Sequence, residues 1–211
     1  MRKIFITLAL LAGCHSQSTK LPEISADTIV TQENATEYKI RLEFYIAQED
    51  VDEYPDLVQS FGWALEQWSE VLPIEALVFF DDIILSRPSV VTVDFSNAES
   101  DNILGVWFDK PNRIIFFTKH LIGHNQLTNA VCLHELGHLF GLPHILYPLD
   151  ARAPAGSIIA DNAETYFMFP QLDDDAPTKI SALEQKIALN YVINILPYKL
   201  SDVIKCQNLT Y

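Results

Sequence analysis

The stretch "HELGHLFGLPH", residues 134–144, holds three histidines, a glutamate and two glycines within eleven residues of a chain that has only six histidines. At 3.6 residues per turn, His134 and His138 share one helix face, so both imidazoles can reach one ion. Glu135 lies ~100° further round the helix. There it is beside the ion and not opposite it, a position suited to a base acting on metal-bound water. Gly141 ends the helix, because glycine enters the left-handed conformation that a sharp turn needs. The turned chain can then return His144 as a third ligand. Three protein nitrogens leave the fourth tetrahedral position to water, the arrangement of a catalytic zinc site and not of a structural one. Cys132 points ~200° away from His134, to the core side with Leu136 and Leu139, and is excluded as a ligand. By chance alone such a pattern arises in a chain this long with odds of roughly one in a hundred thousand.

Outward from this stretch, the spacing predicts a helix from about Gln126 to Phe140 and a mixed α/β domain around it. "YKIRLEFYI" (Tyr38–Ile46) alternates and is rich in strand formers. Between Tyr54 and Leu72, apolar residues at Leu57, Phe61, Ala64, Leu65, Trp68 and Leu72 give one helical face, stopped by Pro73. "ALVFFDDIIL" and "SVVTVDFS" read as the next strands, and "NILGVWFD" and "RIIFFTKH" as a pair joined around "KPN". A loop of more than twenty residues runs from His144 to Met168. In "SALEQKIALNYVINIL", Ser181 and Glu184 form a capping box, with Leu183, Ile187 and Tyr191 on one face.

The chain has 211 residues, 49% of them hydrophobic, which is enough for one domain with a real core. Its net charge of −14, with no basic run beyond the N-terminus, argues against nucleic acid as a partner. Arg2 and Lys3 followed by the apolar Ile4–Ala12 read as a secretory signal, too short to span a bilayer. "LAGC", Leu11–Cys14, resembles the lipobox of bacterial lipoproteins. That resemblance implies a signal peptide over 1–13, a lipidated Cys14 and a membrane anchor. The polar stretch 14–36 reads as the tether, and 37–211 as the domain. His15 is not the aspartate that retains many lipoproteins at the inner membrane, so an outer-membrane protein, periplasmic or surface-facing, is favoured. In an exported chain Cys132 and Cys206 can pair or remain free thiols, and sequence leaves both open.

With its zinc motif, the chain resembles the metzincin clan of zinc endopeptidases. "HELGHLFGLPH" fits the clan's extended motif in full, and "TYFMFP" (Thr165–Pro170) looks like its Met-turn, with Met168 under the metal. "WALEQWSEVLP" and "KISALEQKIALNYV" are similar to the first and last helices of matrix-metalloproteinase-like members. The resemblance implies a twisted mixed sheet of about five strands, a long first helix, a zinc-binding helix, the Met-turn and a C-terminal helix. It also implies Zn²⁺ on His134, His138 and His144, with Glu135 as general base and then acid in the cleavage of internal peptide bonds. The substrate would bind extended along an edge strand at Leu104–Asp109, to a monomeric enzyme. Ile145 after the third histidine and Pro170 where some members carry a tyrosine are departures, as is the length of the 144–168 loop. They leave the subfamily open. His120 and His124 read as solvated loop residues, and Asp173–Asp175 as a solvated acidic loop and not a calcium site. Two rival readings are a non-catalytic metal-containing binding lipoprotein and a metal carrier or sensor. Retention of Glu135 argues against the first, and the lack of His-rich tracts against the second.

Overall fold

Alternation of buried and more exposed residues in three of its five short strands is what builds the sheet. The computed structural model describes residues 39–87, 89–100, 103–148 and 156–196. Strands β1 (Ile40–Ile46), β2 (Ile74–Phe79), β3 (Val91–Ser96), β4 (Gly105–Phe108) and β5 (Arg113–Phe117) form one sheet in the order β2-β1-β3-β5-β4. All neighbours are parallel except β4, which runs antiparallel to β5 at the edge. Leu42, Phe44, Ile46, Val91, Val93, Phe95, Ile114 and Phe116 are buried on one face. The other face carries polar pairs, Glu43 with Arg41 and Arg87, and Asp94 with Arg113. The sheet is thus packed chiefly on one side, which explains why its strands alternate although parallel strands covered on both faces usually do not.

Helix α2 (Pro55–Val71) packs on this inner face. Its Leu57, Phe61, Ala64, Leu65 and Trp68 are buried, as the periodicity predicts, and proline opens its first turn, where no N–H is needed. Helix α3 (Asn125–Leu139) lies against α2 and β4 and is buried almost all round, from Leu127 to Leu139. Helix α4 (Ala182–Asn194) begins at Ser181 with both halves of its capping box formed.

Three expectations need correction. "ALVFFDDIIL" is not one strand: β2 ends at Phe79, and a 3₁₀ turn spans Asp82–Ser86. Adjacent aspartates disfavour a strand, and Ile84 folds back into the core at 3% exposure. The buried face of α4 is Glu184, Ala188 and Val192, while Leu183 is exposed. Glu184 makes main-chain hydrogen bonds inside the fold, and these set the helix rotation. The 144–168 segment contains a small parallel pairing, β6 (Ile145–Leu146) with β7 (Ile158–Ile159). A short polar helix, α1 (Gln48–Glu53), with no buried residue, had no periodicity to announce it. The signal, the tether, Cys14 and Cys206 lie outside the described residues. Cys132 is buried at 1% exposure, on the core side as expected.

Candidate metal centre

Helix α3 carries His134 and His138, and the chain that leaves it carries His144. The turn between them is a Schellman motif. Gly141 has φ +79°, the Gly141 N–H donates to the His138 carbonyl, and the Leu142 N–H donates to the Gly137 carbonyl at 2.9 Å. The ring of Tyr191 from α4 lies so close to Gly141 that a Cβ there would collide with it. This reversal returns His144 to the helix. His138 Nε2 and His144 Nε2 are 3.2 Å apart, as are His144 Nε2 and His134 Nε2. The three histidines lie close enough to hold one metal ion.

The other ring nitrogens fix the tautomers. His134 Nδ1 is 2.8 Å from the Phe167 carbonyl oxygen, and His138 Nδ1 is 2.8 Å from that of Leu142. A carbonyl only accepts, so both Nδ1 atoms donate and both Nε2 atoms present lone pairs. His144 can offer one proton at most to those two lone pairs, whereas a cation satisfies all three rings at once. Burial holds the His134 and His138 pKa values below the usual imidazole range, and at His134 the two neighbouring rings add to the effect. Burial and His138 push that of His144 down to about 3. The rings are thus neutral, as ligands must be.

Glu135 is 5% exposed, and its Oε2 is the one buried side-chain polar atom without a hydrogen-bond partner among the described residues. The edge strand β4 backs it. The Trp107 N–H donates to its carboxylate, and a Cβ on Gly105 would come within 2.8 Å of its Cγ and 2.9 Å of Oε1. Burial raises its pKa to about 8, against the opposing pull of the Trp107 N–H. Cation charge at the histidine focus would draw it back down.

Met168 is fully buried and packs against α3 at Gly137, between the two helical histidines, where a side chain would collide with its sulfur. Trp68 of α2 makes edge-to-face contacts with Phe140 and Phe167, and its Nε1–H donates to the Leu133 carbonyl at 3.3 Å. The site is therefore assembled from four directions. Sequence reasoning brought His134, His138, His144, Glu135 and Met168 to one region and named Leu104–Asp109 as a substrate edge, Phe167 within the Met-turn and Glu184 as a helix cap, but it did not find Gly105 and Trp107 against Glu135, nor Phe167 and Glu184 behind the histidines. The signal for Gly105 was a glycine in a strand, a mark of close approach. For Glu184 it was an acid in line with Ala188 and Val192.

His124 Nδ1 is 2.9 Å from Asp174 Oδ1 at the surface, tying the start of α3 to the loop after Met168. Among the described residues, no other group of histidines, cysteines and acids is placed to hold a metal ion. No known protein family matches the chain, and no curated protein matches it in sequence.

Proposed function

We propose that the chain is a zinc-dependent endopeptidase of metzincin type. The observation that carries this reading is a buried carboxylate, Glu135, with an unpartnered oxygen one residue from a focus of three imidazole nitrogens. A purely structural site needs the histidines and has no use for that carboxylate. Zinc is the metal favoured by the donors: the two 3.2 Å nitrogen separations are close to the ~3.3 Å that tetrahedral bonds of ~2.0–2.1 Å require. Zinc bound there would acidify water and polarise a peptide carbonyl.

The chain's own residues supply the rest. Glu135 takes the proton of the attacking water and gives it to the leaving amine. Gly105 leaves room for this carboxylate, and the Trp107 N–H orients it. The Phe117 N–H donates to the Leu104 carbonyl, so by antiparallel alternation the main-chain groups of Gly105 and Trp107 face away from β5. An extended substrate strand adds along the rest of that edge, the Trp107 N–H being taken by Glu135. The metzincin assignment draws its support from the motif at 134–144 and from the order of first helix, mixed sheet, histidine helix, Met168 turn and last helix. Cleavage of casein that stops with chelator and returns with zinc is the expected result. Cleavage unaffected by chelator would contradict it.

The lipobox supports an anchor at Cys14, and His15 after it, by analogy with lipoproteins, an outer-membrane location. The full chain should partition into detergent and the Cys14→Ser variant should not; equal partitioning would remove the anchor from the proposal. No described helix is long and apolar enough to cross a membrane.

A further inference from the structure

We infer that Glu184 is a positioning residue for the metal centre, its carboxylate bracing the Phe167–Met168 turn that orients two of the three histidines. The inference rests on the reading that His134, His138 and His144 hold a metal. Glu184 is 0% exposed. Burying such a group is costly unless its oxygens are satisfied, and both oxygens of Glu184 are. Oε2 accepts the Ser181 N–H at 2.9 Å, which is its half of the capping box. Oε1 faces the other way and accepts the Met168 N–H at 3.2 Å, and the Phe167 N–H also donates to the carboxylate.

The carbonyls of the same two residues are committed to the metal side. Phe167 O accepts from His134 Nδ1, and Met168 O accepts the Ile145 N–H at 3.1 Å, one residue beyond His144. The turn therefore has its N–H groups fastened to Glu184 and its carbonyls fastened to the supports of His134 and His144. His138 has a separate support, the Leu142 carbonyl beyond Gly141. A residue that only capped α4 would need Oε2 alone. Oε1 is what links the helix to the ligands, and loss of such outer support typically weakens a metal site ~10–100-fold.

The test uses the full chain with Co²⁺ as the metal, its affinity read by competition with a chelator and its geometry by d–d absorption. Glu184→Gln keeps the shape but sets an amide NH₂ against main-chain donors. Ser181→Ala removes the reciprocal half of the cap and leaves Oε1 on the turn. The expected result is at least a ten-fold loss of Co²⁺ affinity with shifted d–d bands in Glu184→Gln, and a change within about two-fold in Ser181→Ala, compared at temperatures where both remain folded. Equal affinities and spectra for Glu184→Gln and wild type would overturn the inference, as would equal losses in the two variants. Failure of the wild type to bind Co²⁺ would overturn the metal centre itself, and this inference with it.

Discussion

Glu135 and Gly105 form a pair in which one residue's chemistry depends on the other's lack of a side chain. An added Cβ would meet the end of a flexible carboxylate and not backbone, so the carboxylate gives way and the strand does not. Gly105→Ala should therefore keep the fold and the metal while displacing the base. A misplacement near 1 Å can cost ~10²-fold in rate, and a drop of that order in kcat at unchanged metal content is the expected outcome of steady-state assays beside metal analysis. Unchanged kcat would show that the carboxylate's position against β4 is unimportant. The pairing was not legible in sequence, because 30 residues separate the partners and nothing in a single chain reports a main-chain N–H reaching a side chain across that gap. His134, His138 and His144 were legible because local geometry alone, one helix turn and one glycine reversal, brings them together.

At the scale of elements, the reversal after α3 is the joint on which the centre depends. Gly141 needs a left-handed backbone and a bare α-carbon against Tyr191. Gly141→Ala meets both obstacles, and the left-handed penalty plus overpacking should lower stability by about 2–4 kcal/mol. It should also loosen metal binding, since the Leu142 carbonyl that holds His138 belongs to the same turn. Denaturant melts with and without metal check both parts. A variant as stable as wild type would contradict the account of the turn. The strands, α2 and α3 were readable from periodicity, because their burial follows apolar spacing. The face of α4 was misread for a physical reason: it begins with a fully buried carboxylate satisfied by main-chain donors, which an apolar pattern counts as surface. The end of β2 was misread because an apolar run continues past Asp81 and Asp82 into a turn, where Ile84 stays buried.

For the molecule as a whole, the buried ionisable groups make stability depend on pH in a way that metal should alter. Glu135 keeps its proton in the metal-free fold up to about pH 8, whereas an unfolded chain releases it above the ordinary carboxyl value of 4.5. The folded state then binds the extra proton, so this group's contribution falls as pH rises toward 8. The three histidines act oppositely and at lower pH. Their folded pKa values lie below 6.5, so the unfolded chain takes up protons as pH drops through that value, and stability is lost toward acid. From pH 6.5 to 8 the Glu135 contribution should fall by about 2 kcal/mol in metal-free protein, against a smaller opposing gain as the unfolded chain's histidines lose their remaining protons. Glu135→Gln should remove that fall in chelator-treated protein and leave only the histidines' rise, as thermal melts across the interval would show. An identical slope in both proteins would mean that the carboxylate is ionised throughout.

The central claim is that three histidines hold the metal and Glu135 does chemistry without holding it. Metal per chain and peptide-cleavage rate, measured together on wild type and Glu135→Ala, test that division most directly. One zinc per chain in both proteins, with cleavage in the variant reduced ~10²–10⁴-fold or more, is the predicted result. Zinc lost from Glu135→Ala, or cleavage as fast as wild type with zinc retained, would contradict it.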